Sequence, residues 1–233
     1  MELGIQGRTA LVTGASIGIG RGIATALARE GVRLAVVARR RNLLEELQKE
    51  LKTELVIIEQ DFMRPDAPER IAKAALEGLG SVEILVNNAG GSRRFTLEAN
   101  EEQWDEALTL NFTRQRQLTH RLLPQMIARK WGRIINITGK SEPEGLNGAF
   151  AAKAAMHSWA KGLSREETRE APWSNRFSEL DKDNDGRISQ SEFNALEGAT
   201  GATGRDATSP STTGGAGGSV GPGGSPIKPE KKQ

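Results

Sequence analysis

Thr9-Ala10-Leu11-Val12-Thr13-Gly14-Ala15-Ser16-Ile17-Gly18-Ile19-Gly20 is the stretch on which the fold turns. Its first half is a short apolar run, its second half a Gly-rich turn, and an amphipathic segment follows over 18–30. A strand, a Gly-rich turn and a helix N-terminus in that order make a phosphate site. Glycines let the backbone pass close to a pyrophosphate, and the free N–H groups and the helix dipole favour its charge. Glycine spacing alone is weak evidence; the strand-turn-helix context gives it weight. Gly14, Ser16, Ile17, Gly18, Ile19 and Gly20 are therefore candidates to hold a dinucleotide. The competing reading is a purely structural turn.

Outward from this turn, strand-like and helix-like segments alternate. Strands are predicted over 8–13, 32–38, 55–58, 82–86 and 133–138. Helices are predicted over 18–30, 42–52 with Asn42 as cap, 67–78 ended by Gly78 and Gly80, 101–130 distorted near Pro124, and 149–163. Such alternation implies an α/β fold, a Rossmann-like doubly wound parallel sheet of about five strands with right-handed crossovers. The near-continuous apolar strands agree with burial on both faces.

The end of the second predicted strand decides between two cofactors. An NAD site places Asp or Glu there to bond the ribose hydroxyls. This chain has Ala38-Arg39-Arg40, and an arginine fork suits a 2′-phosphate. NADP(H) is thus favoured over NAD(H), against the alternative of two solvated loop arginines.

Several further motifs fall in register. Thr13-Gly14 with Gly18-Ile19-Gly20 gives TGxxxGIG, Asn87-Asn88-Ala89-Gly90 follows Ile84-Leu85-Val86, and Asn111 and Gly132–Ile137 come at matching intervals. Over residues 1 to about 165 the chain resembles the short-chain dehydrogenase/reductase family. The resemblance implies a carbonyl reductase or secondary-alcohol dehydrogenase. It puts Asp61 beside the adenine and Asn88, Ala89 and Gly90 along the adenosine ribose. Asn87 reads equally well as a residue satisfying buried backbone groups.

The family's chemistry uses Ser, Tyr and Lys supported by Asn. The lysine bonds the nicotinamide ribose and lowers the tyrosine pKa, and the tyrosine exchanges a proton with the substrate oxygen. Asn111 and Lys153 match, and Ser141 is the nearest serine candidate. Four residues before Lys153 stands Ala149, and the sequence contains no tyrosine. Thr138, Lys140 and Ser141 are the residues available as substitute donors. Loss of a positioned acid lowers the rate about 10²–10⁴-fold, so impaired catalysis is expected. A family member also continues past Leu163 into further strands that this sequence lacks, which leaves the Ile134-Ile135-Ile137 strand as a sheet edge. The resemblance further allows a homodimer through the helices over 101–130 and 149–165.

Composition changes near residue 166. Asp181-Lys182-Asp183-Asn184-Asp185-Gly186-Arg187-Ile188-Ser189-Gln190-Ser191-Glu192 carries the full pattern of an EF-hand loop. Asp181, Asp183 and Asp185 would supply side-chain oxygens, Arg187 its carbonyl, Ser189 a direct or water-mediated contact and Glu192 a bidentate carboxylate to Ca²⁺. The bland alternative is a solvated acidic turn. Residues 198–233 are rich in Gly, Ser, Thr and Pro, a composition expected to stay disordered. The expected domains are 1–165, 172–197 and 198–233.

Bulk properties exclude little else. The 233 residues are 36% hydrophobic with net charge +2 and no cysteine. Mean hydropathy is −0.48 and the sequence pI about 9.0. The charge is too small to argue for nucleic acid, disulfides and thiolate metal sites are excluded, and no apolar run approaches the ~20 residues a membrane helix needs. A cytoplasmic location is the expectation. Three readings compete: an NADP(H)-binding reductase-like protein with a calcium loop, a calcium-binding interaction protein on a non-catalytic Rossmann scaffold, and a fusion of two unrelated fragments.

Overall fold

The computed structural model describes residues 3–51, 53–139 and 145–169, without the side chains of 166–169. Met1–Pro172 forms one compact unit, and Trp173–Gln233 is a separate unit outside the described residues. The calcium loop and the Gly-rich tail both fall in that second unit.

In the first unit the elements alternate as expected: β1 (Thr9–Thr13), α1 (Gly18–Arg29), β2 (Arg33–Ala38), α2 (Arg41–Leu51), β3 (Leu55–Glu59), α3 (Ala67–Leu79) and β4 (Ile84–Asn87). They are followed by α4 (Glu101–Leu108), a π turn (Thr109–Thr113), α5 (Arg114–Ala128), β5 (Arg133–Asn136) and α6 (Gly148–Arg169). The strands form one parallel sheet in the order β3-β2-β1-β4-β5. Thr9 stands opposite Arg33, Ala10 opposite Ile84, Leu34 opposite Leu55 and Ile84 opposite Arg133.

The period of two along the strands sorts the core into two layers. Leu11, Ala35, Val37 and Leu85 face α3 and α5, meeting Ile71, Ala75, Leu118 and Leu122. Ala10, Val12, Leu34, Val36, Ile84 and Val86 face α1 and α2, meeting Ala24, Leu44 and Leu47. Five consecutive residues of β1 are buried, as a central strand covered on both faces requires.

Three local expectations are corrected. α2 starts at Arg41, so Asn42 lies in its first turn and is not the cap. Gly78 sits inside α3; a Cβ there would press into the Val56 side chain of β3, so it serves close packing rather than termination. Gly80, at φ 78°, is the left-handed residue that ends the helix. The long helix is irregular at the π turn, and α5 runs through Pro124. The insertion of one residue in that turn answers to the buried side chain of Asn111, described below.

Among the described residues β5 is a sheet edge. Ile134 and Ile137 pack partly into the two core layers, and Ile135 is 44% exposed. No described helix is long and apolar enough to cross a membrane.

Candidate functional site

The chain order reverses between β1 and β4, and crevices at such switch points receive ligands beyond the carboxyl ends of the strands. A cleft of about 340 Å³ lies at that place. It is lined on one side by Gly14, Ser16 and Ile17, at its far end by Arg39, Arg40 and Asp61, and on the other side by Ala89, Gly90, Asn111 and Ala149. Gly18, Ile19, Gly20, Asn88 and Lys153 do not line it.

The glycine turn is held by contacts that exclude larger residues. A Cβ on Gly14 would come within 2.9 Å of Ala89 Cα, and one on Gly20 would overlap Gly14 O and Asn88 Nδ2. Gly18 is different. Its φ is +57° and nothing stands within 4 Å of the place its Cβ would occupy. α1 starts there without a side-chain cap and without an acidic residue in its first turn. Ile17 and Ile19 are exposed at 58% and 66%. Open space in front of an uncapped helix N-terminus is what a pyrophosphate requires.

The facing wall hangs from Thr13, whose role the sequence does not announce. Thr13 Oγ1 donates to Val86 O at 3.1 Å and accepts from the N–H groups of Asn88 and Ala89, each at 3.0 Å. Asn88 Nδ2 donates back to Thr13 O and Gly14 O at 2.9 and 3.2 Å. Asn88 therefore clamps the two loops together, while Ala89 and Gly90 present the surface. Asn87 is fully buried and donates to Thr119 Oγ1 and Asn136 Oδ1, so it serves the core rather than a ligand.

Asn111 sits in the π turn and is 2% exposed. Its Nδ2 donates to Gly91 O at 3.0 Å and Ala107 O at 2.9 Å, and its Oδ1 accepts from Gly91 N at 3.1 Å. Both amide protons are thus engaged in holding the loop after Gly90. Single-turn π bulges concentrate at such functional positions. Gln115, fully buried one turn on, donates to Ala89 O and Leu110 O and secures the same wall from α5. Nothing in the sequence signals Gln115, because its meaning depends on a contact across 26 positions.

At the other end of the cleft Arg39 and Arg40 are exposed at the end of β2, unpaired among the described residues. Asp61 is exposed, and its Oδ1 accepts from Met63 N at 3.0 Å. Arg114 Nη2 donates to Met63 O at 3.3 Å and so ties α5 to this loop. The Arg93–Glu106 ion pair and the Phe95–Trp104 pair, edge to face at 5.0 Å, border the other half.

Lys153 follows Ala149 by one turn of α6. It is not a solvated surface lysine: Nζ is buried and has no hydrogen-bond partner among the described residues. Burial pushes its pKa down from the usual 10.5 to about 8. Thr138 is exposed beyond the end of β5 and away from the cleft lining. Lys140, Ser141 and the calcium-loop residues Asp181, Asp183, Asp185, Arg187, Ser189 and Glu192 lie outside the described residues. Among the described residues no group of three or more His, Cys, Asp and Glu could hold a metal ion.

The arrangement fits a dinucleotide: an uncapped helix start with open space at Gly18, and a cleft that runs from the glycine turn to two arginines unpaired among the described residues. Comparison with known proteins agrees. The family model for short chain dehydrogenase matches residues 8–171. An oxidoreductase of Staphylococcus epidermidis is 31% identical over 169 residues, 71% of this chain and 74% of the relative. The 3-oxoacyl-[acyl-carrier-protein] reductase of Vibrio cholerae is 32% identical over 168 residues, 70% of this chain and 69% of the relative. A metagenomic short-chain oxidoreductase solved in complex with NADP superposes with a TM-score of 0.65 at 30% identity, covering 71% of this chain and 78% of that one. Sheet order, glycine turn, Asn88–Gly90 wall and family match all converge, and the chain belongs to the short chain dehydrogenase family.

Proposed function

We propose that the protein is an NADP(H)-dependent oxidoreductase acting on a carbonyl or secondary alcohol, with its proton-transfer chemistry weakened. The observation that carries the cofactor choice is the pair Arg39 and Arg40, exposed and unpaired among the described residues at the end of β2, with no carboxylate in their place. Gly14, Ser16, Ile17 and the first turn of α1 would hold the pyrophosphate. Asp61, Ala89 and Gly90 would border the adenosine, and Lys153 and Asn111 would serve the nicotinamide half. When bound, the reduced nicotinamide supplies hydride. The NADP complex of the metagenomic relative supports the reading.

Weakening follows from Ala149. A methyl group at the position where the family resemblance places tyrosine has no proton to exchange, and the sequence contains no tyrosine. Replacement of Arg39 and Arg40 by Ala is expected to weaken NADPH binding about 10²–10⁴-fold and leave NADH binding within about threefold, since each charge-assisted contact to phosphate contributes about 1.5–3 kcal/mol. Equal losses for both nucleotides, read by calorimetry, would contradict the assignment.

A second reading concerns the other unit. The spacing of Asp181, Asp183, Asp185, Arg187, Ser189 and Glu192 supports Ca²⁺ binding, and it stands on sequence alone. Calcium titration of the full chain should show one site that Asp181→Asn and Glu192→Gln together abolish. An unchanged isotherm in that variant removes the reading. A homodimer through α4–α6, in a cytoplasmic protein, completes the proposal; light scattering at twice the 25.1 kDa chain mass is the expected result.

A further inference from the structure

We propose that Lys153 itself exchanges the proton with the reacting oxygen in this chain. The inference rests on the oxidoreductase reading above and deepens it. Its ground is geometric. Ala149 lines the cleft together with Asn111, and Lys153 stands one turn further along the same face of α6. One turn is about 5.4 Å, and helical side chains lean back toward the N-terminus, so a four-carbon stem at 153 is long enough to reach the level of Ala149. The amine itself is covered and does not line the cleft, so a side-chain rotation must bring it to the reacting oxygen. The small Ala149 side chain leaves that level without a phenol. Among the described residues the amine has no partner: Nζ is buried and donates to none of them. An orphaned buried amine is a costly feature unless a ligand engages it.

Its surroundings leave the amine close to working pH. α6 packs on α4, the π turn and β5. Their charged groups are Glu101, Glu102, Asp105 and Glu106 on α4 and Arg133 on β5, and the π turn has none. Glu106 is paired with Arg93, and Arg133 lies over the Trp131 ring at 5.1 Å. On α6 itself, His157 and Lys161 follow at intervals of four. Among the described residues none of these charges moves the Lys153 amine, and burial lowers its pKa, to about 8. A proton donor works best with a pKa near the operating pH.

The balance is simple. In reduction the carbonyl carbon takes hydride, the C=O π pair moves to oxygen, and oxygen takes a proton from the Lys153 ammonium. The products are an alcohol, the oxidised dinucleotide and a neutral amine, which regains its proton from water. In alcohol oxidation the neutral amine accepts the hydroxyl proton.

The test compares wild type, Lys153→Arg, Lys153→Met and Ala149→Tyr, all as full chains. The probes are NADPH with a panel of β-ketoesters, aromatic aldehydes and hydroxyketones. Arginine keeps a cation but holds its proton too tightly to give it up. Lys153→Arg is therefore expected to bind NADPH and to turn over at least about 100-fold more slowly than wild type, within the range that a lost general acid costs. Wild-type kcat should fall as pH rises through the midpoint of the Lys153 signal in the NMR spectrum of [ε-¹³C]lysine protein, assigned by its absence in Lys153→Met. Ala149→Tyr should raise the rate and free it from that midpoint. A rate within about tenfold of wild type for Lys153→Arg overturns the proposal, being less than a general acid supplies. So does a kcat profile that ignores the amine midpoint, or a wild type that binds NADPH and reduces no member of the panel. Failure to bind NADPH overturns the oxidoreductase reading beneath it.

Discussion

Lys153 carries opposite consequences for stability and for chemistry. Its amine titrates near 8 in the fold against 10.5 in an unfolded chain. Below pH 8 both states are protonated and the fold bears the whole penalty of a buried charge. Between pH 8 and 10.5 the unfolded chain binds more protons, so stability rises with pH, and above 10.5 the penalty is gone. Lys153→Met should therefore stabilise the protein at about pH 7 by about 1–3 kcal/mol, since each tenfold change in proton affinity is worth about 1.4 kcal/mol, with most of the gain lost by about pH 10. Urea denaturation of both chains at the two pH values reads the difference. A gain that does not shrink with pH would show that shape, not charge, is responsible. Gly20 makes the complementary case. Gly20→Ala would drive its methyl into Gly14 O and Asn88 Nδ2, the clamp between the two loops. A loss of about 1–3 kcal/mol in stability is expected, with at least about tenfold weaker NADPH binding. Unchanged binding by calorimetry would show that the turn does not hold the nucleotide.

At the scale of elements, the π turn links the helix layer to the cleft. Asn111 ties it to Gly91 and Ala107 through three hydrogen bonds, and Gln115 ties α5 to Ala89. Asn111→Ala leaves Gly91 N and O and Ala107 O without those partners. At about 1 kcal/mol per bond the fold should lose about 2–3 kcal/mol, and the Gly91 amide should exchange with solvent at least about tenfold faster. Slow exchange there would show that other contacts hold the loop. Much of this layer is legible in the sequence. The strand-turn-helix at Thr9–Gly20 and the apolar runs at Leu34–Ala38 and Ile84–Val86 announce themselves through local composition. The π turn does not, because Pro124 is the visible disturbance in that helix, and a π turn depends on where one buried side chain finds partners. Asn42 misleads for a related reason: a good capping residue cannot cap if the helix starts one residue earlier at Arg41. Gly78 reads as a terminator until Val56 is seen packed against it.

For the molecule as a whole, the sheet, both core layers and the cleft belong to one compact unit, Met1–Pro172. The proposed cofactor half of the site is visible in the sequence, since its glycines, its arginines and Asn88–Gly90 stand in short motifs. The catalytic half cannot. Absence of tyrosine is plain from composition, but the buried, unpartnered state of Lys153 emerges only when α6 packs on α4 and the π turn. NADPH at about 100 times its Kd should stabilise the chain by about 2.7 kcal/mol, seen as a higher Tm and slower proteolysis of the first unit. The most direct measurement is a calorimetric titration of the full chain with NADPH. Saturable binding at one site per chain, tighter than for NADH, is the expected result. No heat and no saturation in folded, soluble protein would contradict the dinucleotide site at Gly14–Gly20 and with it the assignment of the cleft.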